Sequence, residues 1–318
     1  MSRRVAGPDD AAVLAGEVPP PVTAEGSARR LQVIYNPIAG QNHGLRLRKT
    51  FRALARSGAS LSVTETRGPG DAERAAAKAC RADTGIVIVA GGDGTINEVV
   101  NGLMTAPGPI PPMAIIPLGT ANVLAQEIGL KLSSSKIASA ILRGPRISVY
   151  PGQANGRYFL MMGGIGFDAE VVANVDPGLK RRTGRFAYLI EALHQSWRYR
   201  FETCGGEIDG APFEARWVVV CNGRHYGGPF VAAPSARLTE PGFSVCLLNG
   251  GGFDIMRYGA ALALGRLSHQ HDVRILPARR VRIDSPIGHK VQGDGDIIGR
   301  LPIEIVAADR PIELVVPA

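Results

Sequence analysis

Residues 91–102, with the sequence GGDGTINEVVNG, follow directly on the apolar run Ile86–Ala90. This run predicts a buried strand. The apolar residues after the glycines recur at helical spacing, which predicts a helix; they are Ile96, Val99, Val100 and Leu103. A strand, a tight glycine turn and a helix N-terminus form a place where backbone N–H groups approach a phosphate closely. Asp93 lies inside this turn, where its carboxylate would repel a phosphate unless a metal ion or a proton transfer uses it. The stretch therefore indicates phosphoryl chemistry.

The same turn also has a structural interpretation. Glycine turns between strands and helices are common, and Thr95 with Glu98 fits a capping box, which would give both residues a structural role. Two further glycine loops, NPIAG at 36–40 and PLGTAN at 117–122, change the balance. Each of them follows a predicted strand, and ligands of parallel sheets bind at the carboxyl ends of the strands. The three loops are therefore expected to meet at one crevice.

The composition bounds the partners of the protein. The net charge of +8 suits an anionic partner such as a nucleotide or an acidic membrane surface. We expect no nucleic-acid partner, because no binding motif is visible and aromatic residues, 6% of the chain, are scarce for base stacking. No uncharged apolar run reaches the roughly 18 residues that span a bilayer. The four cysteines match no zinc or redox spacing, so a reducing, cytoplasmic location is expected.

The chain is expected to contain a tail and two domains. Residues 1–30 are rich in Pro, Ala and Gly and lack the apolar core of a signal peptide, which predicts a disordered tail. Residues 31–150 alternate strands and helices, which is typical of an α/β domain with a parallel sheet. Its predicted strands are Leu31–Tyr35, Leu61–Glu65, Ile86–Ala90 and Met113–Pro117, and its predicted helices lie around Leu47–Ala55, Arg74–Arg81 and Val123–Ile128.

Residues 151–318 have a different sequence pattern, in which predicted short strands are separated by Gly, Pro and Asn. This pattern predicts a β-rich sandwich or open barrel, whose final strands are free to pack back on the first domain. The predicted strands are Arg157–Met162, Phe201–Ile208, Phe213–Cys221, Phe243–Leu248, Val273–Leu276, Arg280–Asp284, Ile303–Val306 and Ile312–Val316. Two helices are predicted, around Arg185–Trp197 and Asp254–Leu267.

Five motifs, taken in order, resemble the diacylglycerol-kinase-type catalytic fold, which includes bacterial lipid kinases and sphingosine kinases. They are NPIAG (36–40), GGDGTINEVVNG (91–102), PLGTAN (117–122), GGIGFDAE (163–170) and DGD (294–296). The resemblance covers the chain from about Leu31 to its C-terminus. It implies an α/β nucleotide domain followed by a β-rich domain, with the active site in the cleft between them. It also implies transfer of the γ-phosphate of ATP to a lipid hydroxyl, with Mg²⁺.

The resemblance assigns roles to individual residues. It implies that the nucleotide is bound by Asn36, Pro37, Gly40, Thr66, Gly91, Gly92, Gly94, Thr95, Asn97, Glu98, Gly119, Thr120 and Asn122. In the basic cluster Lys180–Arg185, it makes Arg182 and Arg185 candidates for the nucleotide phosphates. The alternative, preferred for Arg181, is a solvated charge run or a patch that rests on anionic lipid. Thr120 could instead serve as a helix N-cap, and Asn36-Pro37 as a plain turn.

The acidic residues are the catalytic candidates. Asp294-Gly295-Asp296 matches the Asp-Gly-Glu of the family, with an aspartate replacing the glutamate. By the resemblance these carboxylates act near the transferred phosphoryl group, with Asp294 as the first choice of base, Asp93 the second and Asp296 the third. The alternative for Asp294 is a hairpin turn, which Asp-Gly favours.

Two further regions concern the acceptor and a structural metal. Asp168 and Glu170 follow GGIGF, where the family places its head-group site, so either could hydrogen-bond the acceptor hydroxyl. Bacterial diacylglycerol kinases hold a structural magnesium in a Leu-Asp-Asp-Gly turn, and the matching region here has Thr239 and Glu240 in place of two aspartates. The resemblance therefore leaves that metal in doubt and the acceptor lipid open.

Three classes of function follow. The leading class is a lipid kinase that acts on diacylglycerol, a sphingoid base or a similar alcohol, and that rests peripherally on the inner, anionic face of the membrane. The second is a kinase of a soluble substrate, such as an NAD kinase, although no second motif of that group follows. The third is a nucleotide- or lipid-binding regulator without catalysis, which would not need Asp93, Asp294 and Asp296. Assembly as a monomer or a homodimer is left open.

Overall fold

The computed structural model describes residues 30–39, 44–82, 84–176, 178–179 and 186–318. The chain divides into two compact units. The first, called unit 1, comprises the chain up to Ile147 together with Ile312–Ala318. The second, called unit 2, comprises Ser148–Pro311.

Unit 1 is an α/β domain around a six-stranded sheet with the strand order β2-β1-β3-β4-β20-β5. The strands are β1 Arg30–Tyr35, β2 Ser60–Glu65, β3 Ile86–Gly91, β4 Met113–Pro117, β5 Arg146–Val149 and β20 Ile312–Val315. Strands β1 to β4 pair in parallel, and β20 joins β4 in parallel. Every residue of β3 and β4 is buried, because helices cover both faces of a parallel sheet. The predicted parallel-sheet domain is confirmed.

The helices of unit 1 follow the strands in alternation. They are α1 Gly44–Arg56, α2 Asp71–Ala79, α3 Asp93–Thr105, α4 Val123–Glu127 and α5 Ser134–Arg143. Helix α1 buries Leu47, Thr50, Phe51 and Leu54 at the spacing of one helical face. Helices α2 and α3 pack closely at Gly102, where a side chain would collide with the backbone carbonyl of Glu73. Helix α5 was not predicted, although its N-cap Ser133 accepts a hydrogen bond from the Lys136 N–H.

Unit 2 contains two six-stranded sheets, with the strand orders β10-β9-β16-β19-β6-β7 and β15-β14-β11-β8-β17-β18. The strands are β6 Gly152–Ala154, β7 Arg157–Phe159, β8 Met162–Gly166, β9 Cys204–Ile208, β10 Ala211–Ala215, β11 Trp217–Cys221, β14 Phe243–Leu248, β15 Val273–Ala278, β16 Arg280–Ser285, β17 Lys290–Gly293, β18 Asp296–Arg300 and β19 Ile303–Ala307. A two-stranded ribbon is formed by β12 His225–Tyr226 and β13 Phe230–Val231. The helices are α6 Phe167–Asn174, α7 Phe186–Arg198 and α8 Asp254–Ala263, followed by a 3₁₀ turn, Leu267–His269.

The core of unit 2 lies between the two large sheets. Alternate residues point into it, as in Val218 and Val220 of β11 and Val281 and Ile283 of β16. Phe159 and Phe243 stack within the same core, with ring centroids 6.1 Å apart. The expected β-rich sandwich is therefore confirmed.

Several elements of unit 2 differ from the prediction: the helix predicted around Asp254–Leu267 ends at Ala263, the strand predicted from Phe201 begins at Cys204, and the strand predicted over Arg157–Met162 ends at Phe159. The single strand predicted over Phe213–Cys221 is two strands, β10 and β11, which belong to different sheets and are separated by Arg216. The glycine-rich residues Met162–Gly166 form β8, a strand inside a sheet that pairs with β11 and β17. Glycine is a weak strand former, so this stretch carries no local strand signal.

We expect the Arg257→Met variant to unfold a few degrees below the wild type at neutral pH. Arg257 binds Asp272 through both terminal nitrogens, at 3.0 and 2.7 Å, and Asp254 at 2.8 Å. The Arg257 guanidinium lowers the pKa of Asp272 from 3.8 to about 2. A depressed carboxyl pKa stabilises the fold above the unfolded value, and this contribution is lost as the pH falls through about 2.

Thermal unfolding followed by circular dichroism between pH 7 and pH 2 measures this effect. The difference between wild type and Arg257→Met is expected to shrink as the solution becomes more acid. The control is Arg282→Met, since Arg282 pairs with Asp284 at the exposed surface, where ion pairs contribute little. A constant difference at all pH values would mean that the ion pair does not cause it.

Candidate functional site

The first two glycine loops of unit 1 are joined by Asn36. Its Nδ2 donates to Oγ1 of Thr95 at 3.0 Å, so the loop after β1 is tied to the first turn of α3. Its Oδ1 accepts the backbone N–H groups of Ile38 at 3.0 Å and Ala39 at 3.3 Å. This Asx turn shapes the loop after β1, so the turn interpretation of Asn36 is correct, while nucleotide binding by Asn36 stays a prediction.

The second and third loops meet through glycines. A Cβ on Gly119 would lie 2.8 Å from the Cα of Gly92, and a Cβ on Gly92 would lie 3.3 Å from the Cα of Gly119. Only a residue without a side chain allows this backbone approach. Asp93 adds a second connection, because its Oδ1 accepts the N–H of Val123, the first residue of α4, at 2.8 Å. The structure thus brings the three predicted loops together.

Helix α3 begins without a capping side chain. Its N-cap is Gly92, and its first backbone bond runs from the Ile96 N–H to the Gly92 carbonyl at 3.1 Å. The capping box of Thr95 with Glu98 is not formed, because Oε2 of Glu98 instead accepts the N–H of Ala72 at the start of α2, at 3.1 Å. The N–H groups that precede the first backbone bond point along the helix axis, as in sites that bind phosphate.

Asn122, not Thr120, is the N-cap of helix α4. Asn122 has a φ of 46° and donates from Nδ2 to the carbonyl of Gly119 at 2.7 Å. Its buried Oδ1 accepts no hydrogen bond within the part of the chain that the structure describes. Because Asn122 occupies the N-cap position, the helix-cap interpretation of Thr120, which is exposed, is wrong.

The other predicted nucleotide residues divide by exposure. Gly94 is exposed in the first turn of α3, and Pro37 is half-buried in the NPIAG loop. Asn97 is buried and its Oδ1 accepts from Asn101 at 3.1 Å, while Gly91 packs against the side chain of Thr95. Thr66 is buried behind β2 and its N–H donates to the Tyr35 carbonyl at 2.8 Å. Gly40, Arg182 and Arg185 lie outside the described residues.

Asp294 and Gly295 form the turn of the β17–β18 hairpin in unit 2. Their φ angles are 52° and 89°, and the flanking Gly293 and Asp296 pair across the hairpin. Two successive positive φ angles are typical of a type I′ turn, which Asp-Gly favours. The turn interpretation of this motif is therefore correct. Asp296 is exposed at the start of β18.

The Asp294 carboxylate is held by three backbone donors. Its oxygens accept the N–H groups of Leu160 at 2.5 Å, Met161 at 2.9 Å and Met162 at 3.0 Å. The Asp294 N–H in turn donates to the Met162 carbonyl at 2.9 Å. These bonds fix the orientation of the carboxylate against residues 160–162 and are possible because the turn adopts a left-handed backbone.

Asp168 lies at the start of α6 and is buried. One of its carboxylate oxygens accepts the hydroxyl of Tyr226, and the other accepts Nε2 of Gln292 at 2.5 Å. Oε1 of Gln292 accepts the N–H of Gly295 at 2.9 Å, so this hydrogen-bonded chain ends in the Asp294-Gly295 turn. Burial raises the pKa of the Asp168 carboxyl above its usual value, while the bonds from Tyr226 and Gln292 act in the opposite direction.

Tyr226 and Gln292 are not among the site residues predicted from the sequence. A polar Gln292 inside a short buried strand, two residues before Asp294, is a signal that could have identified one of them. Tyr226 lies in a two-residue strand far away in sequence, and no local pattern connects it to Asp168. Burial and the neighbouring Asp168 raise the pKa of the Tyr226 hydroxyl well above its usual value, so it serves as a hydrogen-bond donor.

Glu170 forms hydrogen bonds with neighbouring side chains, and the residues that match the structural-metal turn of the family are exposed. Oε1 of Glu170 accepts from Nζ of Lys290 at 3.2 Å and from Nδ2 of Asn174 at 2.8 Å. Thr239 and Glu240 are exposed in a turn. Across the residues with described positions, no group of three His, Cys, Asp or Glu side chains could hold a metal ion.

None of the helices in that part of the chain is both long enough and apolar enough to span a bilayer.

Both units match models of known protein families. Residues 30–154 match the model of the diacylglycerol kinase catalytic domain, and residues 163–317 match that of the YegS C-terminal NAD kinase beta sandwich-like domain. The chain is 31% identical over 295 residues to a diacylglycerol kinase of Bacillus subtilis strain 168, which covers 91% of this chain and 97% of that protein. It is 29% identical over 294 residues to a diacylglycerol kinase of Staphylococcus carnosus strain TM300, covering 91% and 95%.

The structure is similar to that of a Bacillus anthracis protein assigned as a diacylglycerol kinase. The TM-score is 0.78 at 25% identity, and the match covers 93% of this chain and 97% of that one. The curated relatives are lipid kinases aligned over nearly their whole length, and the glycine loops and the Asp-Gly turn lie within the matched regions. The chain therefore belongs to the diacylglycerol kinase family and is an ATP-dependent lipid kinase.

Proposed function

We propose that this kinase transfers the γ-phosphate of ATP to the hydroxyl of diacylglycerol, with Mg²⁺, at the surface of an anionic membrane. The observation that carries the proposal is the meeting of three glycine loops around Asp93 in unit 1, in a chain whose curated relatives are diacylglycerol kinases. The net charge of +8 supports the membrane part, because basic proteins are attracted to anionic lipid surfaces.

The phosphate-binding part of the proposal concerns unit 1. The close approach of Gly92 and Gly119 leaves bare backbone beside the N-terminus of α3, and phosphates bind well at such helix ends. Asn36 and Thr95 hold the first loop against the same helix. We propose that Mg²⁺, bound with the nucleotide, neutralises phosphate charge and that Asp93 is its candidate carboxylate ligand.

The acid–base part concerns three aspartates. We propose that Asp294 takes the proton of the acceptor hydroxyl, with Asp93 as the second candidate and Asp296 as the third. The match of Asp294-Gly295-Asp296 to the Asp-Gly-Glu of the family supports this assignment, and the three N–H groups of residues 160–162 hold the Asp294 carboxylate in one orientation. A base must stay within hydrogen-bond reach of the proton that it removes, and a fixed carboxylate reduces the cost of reaching that geometry.

A competition assay tests the choice of acceptor. The purified enzyme receives ATP and vesicles that contain equal amounts of diacylglycerol and a sphingoid base, with NAD in solution, and the products are separated by mass spectrometry. Phosphatidic acid is expected to form faster than either other phosphate ester. Preferential phosphorylation of the sphingoid base would change the acceptor, and phosphorylation of NAD alone would contradict the proposed lipid chemistry.

Asp168 is a further candidate, and two roles predict different kinetics. If it hydrogen-bonds the acceptor, as the resemblance implies, the Asp168→Asn variant should raise KM for the lipid with little change in kcat. Its bonds to Tyr226 and Gln292 favour a positioning role, since an asparagine offers one amide oxygen in place of the two carboxylate oxygens that accept these donors, which would weaken the hydrogen-bonded chain that ends at Gly295.

We therefore expect Asp168→Asn to lower kcat by about 10- to 100-fold, the usual scale for misplaced catalytic groups, with KM for lipid nearly unchanged. Steady-state kinetics with varied lipid separates the two roles. Ser235→Ala is the control, because it removes a single hydrogen bond, between the hydroxyls of Ser235 and Ser244, elsewhere in unit 2. A rise in KM alone would favour the acceptor-binding role.

A further inference from the structure

An exposed apolar surface covers helix α8 and the end of helix α7. Its largest side chains are Trp197, Phe253, Met256 and Leu264, with exposed fractions of 78%, 85%, 64% and 70%. The rings of Trp197 and Phe253 lie edge to face with centroids 5.3 Å apart, which joins the two helices at the surface. These four residues are called the apolar face.

Helix α8 is apolar on two opposite sides. Ile255, Tyr258 and Ala261 are buried on the side that faces the protein. Phe253, Met256, Ala260, Ala263 and Leu264 recur at helical spacing on the exposed side. The sequence between Arg257 and Arg266, YGAALALG, contains no charged residue. A helix with two apolar sides normally buries both, so the exposed side indicates a partner.

The charges around the apolar face are basic. Arg198 and Arg200 follow Trp197 in sequence, and Arg266 lies two residues after Leu264, so exposed arginines flank the face at both ends. The acids of these segments have basic partners: Asp254 in α8 and Asp272 just before β15 pair with Arg257, and Glu202 contacts His289 at 3.1 Å. Apolar side chains surrounded by arginines suit the interface of an anionic bilayer, where aromatic rings insert and basic groups meet phosphates.

A second copy of the chain suits this surface less well. A two-fold dimer across the face would bring Arg198, Arg200 and Arg266 of both copies close together, which is electrostatically unfavourable. A stable dimer interface uses roughly 20–30 residues on each side and would extend well beyond this face.

We propose that the apolar face of α7 and α8 inserts into anionic membranes and holds the enzyme at the surface that contains its substrate. The proposal rests on the proposed function, because a lipid acceptor must be taken from a membrane. It adds the surface of the protein that makes the contact, and it assigns Trp197 and Phe253 as the inserted anchors.

Trp197 itself reports on insertion. The chain has two tryptophans, and the Trp217→Phe variant leaves Trp197 as the only one. The indole N–H of Trp217 is buried without a partner in the part of the chain that is described, so its removal costs no hydrogen bond observed there. With vesicles that contain phosphatidylglycerol and brominated acyl chains, the Trp197 emission should shift to the blue and be quenched. Unquenched emission from vesicle-bound protein would overturn the proposal.

A triple variant tests the contribution of the face to binding. Trp197→Ser, Phe253→Ser and Met256→Ser together should weaken vesicle binding at least about tenfold, since each buried side chain of this size contributes to partitioning. The control is Leu45→Ser, because Leu45 is 68% exposed and lies in helix α1 of unit 1. Equal vesicle binding by the triple variant, Leu45→Ser and the wild type would overturn the proposal.

Two further measurements separate the outcomes. Kinase activity on a water-soluble short-chain diacylglycerol should be unchanged in the triple variant, and an enzyme that is inactive on this acceptor would count against the proposed function, whatever its membrane binding. Sedimentation velocity without lipid should give the same species for wild type and triple variant. A dimer that the triple variant abolishes would assign the face to a second copy and overturn the membrane proposal.

Discussion

Replacing Asp294 or Asp93 with asparagine is expected to lower turnover by about 100-fold or more, the usual scale for acid–base and charge-positioning groups. These carboxylates are proposed to act mainly in the transition state, so ATP affinity should change by less than roughly tenfold. Turnover with saturating lipid, together with titration of a fluorescent ATP analogue, measures the two quantities separately.

The two variants differ in their structural side effects. In Asp93→Asn the new amide keeps an oxygen that can accept the N–H of Val123, so this variant should leave the loops in place. In Asp294→Asn the amide offers one oxygen where the aspartate uses two to accept from residues 160–162, so this variant should also have a lower unfolding temperature. A low turnover of Asp93→Asn at an unchanged unfolding temperature would therefore show an effect on catalysis that is separate from any effect on stability.

Asp284→Asn is the matched control for both, because Asp284 pairs with Arg282 at the exposed surface of unit 2. Its turnover should equal that of the wild type. If Asp93→Asn, Asp294→Asn and Asp296→Asn all phosphorylated lipid at the wild-type rate, the assignment of these aspartates to catalysis would be wrong.

Side chains on the glycine loops are expected to abolish ATP binding, with a loss of at least about 100-fold in affinity. The Gly92→Val and Gly119→Val variants place a Cβ at 3.3 and 2.8 Å from the facing backbone, which forces the two loops apart. Gly94→Val acts differently, because Gly94 is exposed in the first turn of α3 and a side chain there blocks approach to the backbone.

Titration of a fluorescent ATP analogue into each folded variant measures this loss. Gly259→Val is the control, because Gly259 lies in helix α8 of unit 2 with open space around it. Circular dichroism shows whether each variant is folded. Unchanged affinity in Gly92→Val and Gly94→Val would contradict a nucleotide site at these loops.

The sequence predicted the parts of the fold that carry strong local patterns. Strands β3 and β4 are continuous apolar runs, and their full burial in a parallel sheet follows from that composition. Strand β8 escaped prediction because three of its five residues are glycines, which are held in the sheet by pairing with β11 and β17. The sequence analysis allowed the final strands to pack back on the first domain, but it did not predict the pairing of β20 with β4, because no local pattern encodes contacts between distant parts of the chain.

In the candidate site, too, some features could be predicted from the sequence and others depend on contacts between distant residues. The three glycine loops were predicted to meet because the carboxyl ends of parallel strands share one edge, and the Asn36–Thr95 bond and the Gly92–Gly119 approach agree with that reasoning. The bonds from Asp168 to Tyr226 and Gln292 join residues 58 and 124 positions apart, so the folded structure is needed to show that these bonds form, although the polar Gln292 in a buried strand is itself visible in the sequence.

The most direct test of the central claim follows the γ-phosphate. The purified protein is incubated with ATP labelled at the γ-phosphorus, Mg²⁺ and vesicles of diacylglycerol in phosphatidylglycerol, and the lipid phase is extracted and separated. The account predicts that the label appears in phosphatidic acid at a rate proportional to enzyme, and that Asp93→Asn at equal concentration transfers about 100-fold less. Label that stays in ATP or is released only as inorganic phosphate, with no labelled lipid formed, would contradict the account.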